Sequence, residues 1–244
     1  MNMQYWTLKR TLRTIWIVTG IVFTLWLCYS MQAHGVDKAL LKSDNLLQFE
    51  NTEQYYCYTP KASFIQVLFF YPGALVEPKS YIPLCRELAT EGIKVYLIKM
   101  PWRQATRGYN IPKTLGLFDD AGKTYILVGH SQGGKMAAQF VYENPGVVDQ
   151  LILIGTTHPL DISLGYAKIP ILKIYGSRDG VSDEASIMDN KVQLPTSAQF
   201  VRIEGGNHSQ YGYYGFQLGD KKATIDREQQ QVETLRAMLT FINE

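Results

Sequence analysis

The chain has 244 residues, 46% of them hydrophobic and 19% charged, which excludes a disordered polymer and suits one large domain. Its formal net charge is +2 with no basic stripe, which speaks against nucleic acid as a partner. Three cysteines without a C-x-x-C spacing give no zinc or redox motif, so no metal is expected.

The N-terminal stretch KRTLRTIWIVTGIVFTLWLCYSM sets Lys9, Arg10 and Arg13 ahead of an uncharged run over residues 15–31. As a helix, these 17 residues extend about 25 Å, the short end of a membrane crossing. Trp16, Trp26 and Tyr29 near its ends suit the headgroup zone. The three cations favour a cytoplasmic N-terminus, although Lys38 and Lys42 weaken the contrast. The expectation is a single-pass membrane anchor with the rest of the chain on the extracytoplasmic side. The alternatives are a cleaved signal peptide, which gives a secreted protein, and a buried helix. A small-residue cleavage site is lacking, and Leu27 is bulky where a lipoprotein signal needs a small residue.

Residues 33–45 read as a polar linker, and 46–58 have strand character. FIQVLFFY (64–71) is a buried strand. Residues 79–92 carry helical spacing, with Gly92 where a helix stop belongs. IKVYLIKM (93–100) is a second strand; 101–116 is irregular, and a short helix is expected over 111–121. TYILVG (124–129) leads into a helix over 132–144. QLILIG (150–155) and PILKIYG (170–176) are strands, followed by a helix near 183–190. AQFVRIEGG (198–206) precedes a last helix over 224–242, with Val232, Leu235, Met238 and Leu239 on one face. Apolar strands separated by helices predict an α/β fold with a mostly parallel sheet covered on both faces. The connection over 156–169 is too short for a separate cap domain. The expected organisation is a tail and anchor over 1–32, a linker over 33–45 and one domain over 46–244. Cys57 and Cys85 are expected as free core thiols, with a disulfide open only for an exported domain.

Gly129-His130-Ser131-Gln132-Gly133 fits G-x-S-x-G between a strand and a helix. A strand that reverses into a helix this sharply holds the serine in strained backbone, and glycines let the neighbouring chain pass. The pentapeptide alone is weak, and a plain turn serine is the simpler reading. Its context makes Ser131 a candidate nucleophile at a helix N-terminus, where the dipole favours developing negative charge. A serine hydroxyl needs a base and the base an orienting acid, in the chain order Ser, Asp or Glu, His. Of the four histidines, His34 adjoins the membrane segment, His130 precedes the serine and His158 precedes the best acid. His208, in GGNHSQYG, is the candidate base. Asp179, in YGSRDG, is the candidate acid, with Asp183 in reserve; Asp149 and Asp161 read as solvated charges. The oxyanion donors are assigned to the N–H groups of Gln132 and Ala74, since Pro72 has none, and Gly73 would let substrate approach. Tyr211, Tyr213, Tyr214 and Phe216 either pack against the sheet edge or wall an apolar acyl site; Tyr211 is the one assigned to substrate. Glu77 reads as a solvated loop charge or a contact to a polar substrate group.

Taken together, FFYPGA, ILVGHSQGG, IYGSRDG and GGNHSQYG resemble the α/β-hydrolase superfamily over residues 62–244. The chain is most similar to compact, cap-less serine esterases, including the branch near dienelactone hydrolases. That branch uses cysteine where this chain has Ser131, so lactone specificity is not carried over. The His-Gly oxyanion motif of many lipases is replaced by Tyr71-Pro72-Gly73-Ala74. The resemblance implies an α/β-hydrolase fold and a hydrolase that cleaves small-molecule carboxylic esters through an acyl-enzyme, without a cofactor. A serine amidase or peptidase, an acyltransferase, and a catalytically silent interaction domain remain as alternatives.

Overall fold

Uncharged runs such as Val67-Leu68-Phe69-Phe70 offer no face to solvent and must be covered on both sides. In the computed structural model, which describes residues 3–244, they form the middle of one eight-stranded sheet. The elements in chain order are α1 (Met3–Ser30), β1 (Leu47–Asn51), β2 (Tyr55–Pro60), β3 (Gln66–Tyr71), α2 (Ile82–Thr90), β4 (Lys94–Ile98), α3 (Ile111–Thr114), β5 (Thr124–His130), α4 (Gln132–Glu143), β6 (Gln150–Ile154), β7 (Ile171–Gly176), α5 (Glu184–Asp189), β8 (Gln199–Ile203) and α6 (Arg227–Ile242). The strand order is β1-β2-β4-β3-β5-β6-β7-β8. β1 and β2 add antiparallel at one edge, and every pair from β4 to β8 is parallel.

From β3 the chain steps outward to β4, then crosses back to β5 on the other side of β3. That reversal puts the switch point of the sheet at the carboxyl ends of β3 and β5, where open α/β sheets bind ligands. The segments after Tyr71 and after His130 flank it.

Alternation along the strands sorts the core into two layers. Ile126 and Val128 of β5 join α2 and α6 residues such as Leu84, Cys85, Met238 and Phe241. Tyr125 and Leu127 point the other way, to Met136, Ala137 and Phe140 of α4. Truncating the fully buried Phe140 to alanine would cost about 3–5 kcal/mol. Cys57 lies in the α4 layer and Cys85 in the α2 layer, so the sheet separates them; both are buried and free. Burial pushes the Cys57 thiol up to about 11 and the Cys85 thiol higher still.

Several elements differ from the sequence reading. Residues 46–58 divide into a hairpin, β1 and β2, because Thr52 Oγ1 accepts the N–H groups of Gln54 and Tyr55 and turns the chain. The helix expected over 111–121 stops after Thr114, where Gly116 takes φ +65°. α6 starts at Arg227, capped by Asp226, whose Oδ1 accepts the Gln229 N–H at 2.7 Å. Of the expected inward face, Met238 is buried and Leu235 and Leu239 pack on the core, but Val232 is 60% exposed, while Gln230, Gln231 and Thr234 are buried beside them. The cause is polar, since the Gln230 side chain pairs with both backbone groups of Asn207, at 3.0 and 2.7 Å.

Residues 33–45, read as a linker, lie along the domain. Val36, Leu40 and Leu41 pack on the α2 layer, and Arg86 donates to the carbonyls of Leu40 and Lys42. Ahead of them, α1 is 28 residues long, about 42 Å. Its stretch Thr7–Ser30 is apolar and long enough to cross a membrane, and none of its most apolar part is buried against the domain. Only the helix end is docked: Ser30 is 4% exposed, and the Gly215 N–H donates to its carbonyl at 2.7 Å.

Candidate active site

The turn from β5 into α4 is built by its glycines. A Cβ on Gly133 would lie 2.0 Å from the Tyr71 carbonyl oxygen, and one on Gly129 would lie 2.3 Å from the Gly133 backbone. Both neighbours are main chain and cannot move aside. Packed this closely, the chain carries Ser131 at φ 54°, ψ −120°, a conformation costing about 1–3 kcal/mol for a non-glycine residue. Its N–H is tied to the Ile154 carbonyl of β6 at 2.9 Å. The strained turn leaves Ser131 half-buried at the head of α4 rather than inside the sheet.

Asp179 and His208 follow the ends of β7 and β8. The His208 Nδ1–H donates to Asp179 Oδ2 at 2.8 Å, with both side chains fully buried. Asp179 Oδ1 accepts the N–H groups of Val181 and Ser182, at 2.9 and 2.7 Å, which fixes the carboxylate. His208 Nε2 is buried with no hydrogen-bond partner among the described residues. The His208 ring lies 4.6 Å from the ring of His130, the residue preceding Ser131. The reserve acid Asp183 is taken up elsewhere, capping α5 through the Ser186 N–H.

The N–H groups of Ala74 and Gln132 make no hydrogen bond among the described residues. The Gly73 N–H, by contrast, donates to Tyr81 Oη at 3.1 Å. Gly73, expected to admit substrate, is itself buried: a Cβ there would sit 3.0 Å from Tyr81 Oη and 3.1 Å from His130 Nδ1. Its smallness serves packing inside the fold. Tyr211, expected on the substrate wall, is 1% exposed, its ring tilted against that of His130 with centroids 5.4 Å apart.

Three residues that the sequence reading passed over hold this site. Tyr81 Oη accepts from Gly73 and donates to His130 Nδ1 at 2.8 Å, joining the β3 loop to the floor under His208. Burial, and then the neighbouring His208, hold the His130 imidazole well below its ordinary range, so it stays neutral. Asp220 is buried and accepts the backbone N–H groups of His208, Ser209 and Gly180. Gln230 fixes Asn207, next to His208. His158 stands on the loop after β6; burial and then Lys135 lower its imidazole to about 4. The apolar groove of about 470 Å³ beside Tyr142 and Tyr166 lies at the far end of α4, away from Ser131.

A model of the alpha/beta hydrolase family matches residues 67–232. No curated protein matches the chain significantly. Among solved structures, Est1E from Butyrivibrio proteoclasticus is similar at 14% identity and TM-score 0.58, covering 82% of this chain and all of its own. An alpha-beta serine hydrolase homologue from Coxiella burnetii is similar at 13% identity and TM-score 0.56, over 81% of this chain and 97% of its own. The carboxylesterase CesB from Bacillus subtilis is similar at 13% identity and TM-score 0.55, over 84% of this chain and 93% of its own. At these identities the likeness is one of fold.

Proposed function

The chain belongs to the alpha/beta hydrolase family, and from that premise we propose that it is a membrane-tethered serine hydrolase cleaving carboxylic esters. The observation that carries the reading is the buried His208–Asp179 pair, with one ring nitrogen left free and the His208 ring 4.6 Å from that of His130, the residue before the strained Ser131. Ser131 Oγ attacks the ester carbonyl as its proton passes to His208 Nε2. Asp179 fixes the tautomer that leaves Nε2 as acceptor, and stabilises the imidazolium. The N–H groups of Ala74 and Gln132 receive the oxyanion, each worth about 3–4 kcal/mol in the transition state. The intermediate collapses, the alcohol leaves with the proton from Nε2, and water releases the acid by the same steps in reverse. The imidazolium forms beside His130, so a neutral His130 spares the reaction a second positive charge 4.6 Å away.

Residues 15–31 anchor the protein, and the three cations before them favour a catalytic domain outside the cytoplasm. Support for an anchor over a cleaved signal comes from Ser30, the last helical residue, which is buried in the domain and hydrogen-bonded to it.

The test is fluorophosphonate labelling of the full-length protein in detergent, with hydrolysis of p-nitrophenyl esters and matched anilides. Label and ester turnover are expected for the wild type and neither for Ser131→Ala. Turnover that survives Ser131→Ala removes the reading; faster anilide than ester cleavage makes the enzyme an amidase.

A further inference from the structure

The four residues that follow the apolar helix run directly into the loops around Ser131. The Met31 carbonyl accepts the Glu77 N–H at 2.8 Å, and Glu77 Oε2 in turn accepts the Ala33 N–H at 3.0 Å. Arg103 donates to Gln32 Oε1 at 3.0 Å, and its carbonyl accepts the Leu75 N–H at 2.7 Å. The His34 N–H donates to the Tyr213 carbonyl at 2.7 Å, and Ser30 Oγ donates to the Phe216 carbonyl. Gly215 sits so close to Ser30 that a Cβ there would lie 2.9 Å from the Ser30 carbonyl oxygen. These contacts reach the loop with Ala74, the loop after β4 and the loop after His208. The middle one is also tied to the nucleophile turn, since the Ala105 N–H donates to Gln132 Oε1 at 2.8 Å.

Depth follows from chain length. The headgroup zone is about 5–7 Å thick on each side of the hydrocarbon core. Two residues of chain beyond Ser30 reach at most about 7 Å. The loops bound to Met31 and Gln32 are thereby held at headgroup depth. They also expose apolar side chains: Trp102 is 81% exposed, Leu75 53% and Phe216 46%. Trp102 and Leu75 stand on left-handed backbone, φ 55° and 62°, where a bulky side chain is unfavourable.

We propose that the Ser131 crevice opens onto the membrane that α1 crosses, and that its substrate is an acyl ester lipid embedded in that same leaflet. The exposed rim enters the headgroup layer, where Trp is favoured and where lipid ester carbonyls lie. The inference rests on the hydrolase and anchor readings above.

The experiment uses full-length protein in phosphatidylcholine vesicles carrying a fluorogenic long-chain ester lipid, with p-nitrophenyl butyrate as the soluble comparison. The lipid in the protein's own vesicles is expected to be cleaved at least tenfold faster than the same lipid in added, protein-free vesicles. Trp102→Asn is expected to slow lipid cleavage about tenfold and leave butyrate turnover within twofold. Asparagine keeps the left-handed backbone at position 102. With Trp6, Trp16 and Trp26 changed to phenylalanine, Trp102 emission is expected to be quenched by brominated lipid. Equal rates in own and added vesicles, equal losses on both substrates, or unquenched Trp102 would each overturn the proposal. Wild-type protein that cleaves the butyrate but not the lipid removes this inference alone. Protein that cleaves neither removes the hydrolase reading with it.

Discussion

Asp220 Oδ1 accepts the backbone N–H of His208 at 3.1 Å, and the same oxygen accepts the N–H of Gly180, next to Asp179, at 3.2 Å. One buried carboxylate thus clamps the loop of the base to the loop of the acid. Asp220→Asn keeps the size, but with its one oxygen at the Oδ1 position the amide no longer accepts the N–H and hydroxyl of Ser209. Its kcat is expected to fall about 10–100-fold with KM little changed, as for a small misplacement of a reacting group. Steady-state kinetics on a soluble ester, beside a melting curve, separate this from general unfolding.

Asp179→Asn isolates the proton chemistry. The oxygen of the introduced amide still accepts from Val181 and Ser182, while its N–H₂ group faces His208 Nδ1 and selects the wrong tautomer. Turnover is expected to drop about 10⁴-fold. A loss below about tenfold, in protein melting like the wild type, would remove Asp179 from the relay.

Gly133→Ala tests the turn itself. The new methyl would meet the carbonyl oxygens of Tyr71 and Pro72 at 2.0 and 2.6 Å, so β3 and α4 must separate. The expected loss is about 3 kcal/mol or more, read as a lower denaturation midpoint or insoluble protein. Gly122→Ala, whose nearest neighbour is a side-chain oxygen at 3.3 Å, is expected to change stability by less than about 0.5 kcal/mol.

Lys173 supplies a pH test. It is fully buried on β7, with Nζ donating to the His158 carbonyl at 2.7 Å, and burial lowers its pKa from 10.5 to about 7. Between pH 7 and 10.5 the unfolded chain therefore binds more protons at this site, so its contribution to stability rises with pH. It is lost as pH falls towards 7. Lys173→Met fills similar space without charge. It is expected to stabilise the protein by about 1–3 kcal/mol at pH 7. The gain should shrink towards pH 10 in paired denaturant titrations.

The strands around the site were legible because buried parallel strands write their environment into uninterrupted apolar runs, as in Phe69-Phe70 or Leu151-Ile152-Leu153. The turn at Ser131 was legible because its glycines answer a local steric demand. Asp220 was not: between Gly219 and Lys221 it looks like a solvated turn, and only the tertiary meeting of two loops buries it. Tyr81 and Gln230 escaped for the same reason, since their partners, His130 and Asn207, lie 49 and 23 residues away. On α6 only Val232 departs from the expected face, because hydrophobicity alone cannot anticipate a helix that turns an amide inward to satisfy a neighbouring backbone.

The two sequestered thiols give each side of the sheet its own reporter. Cys57 becomes reactive only when the α4 layer opens, and Cys85 only when the α2 layer does. Alkylation timed under native conditions would therefore rank the breathing of the two layers without introducing a label. Reducing agents should leave that ranking untouched, because no covalent cross-link bridges the halves.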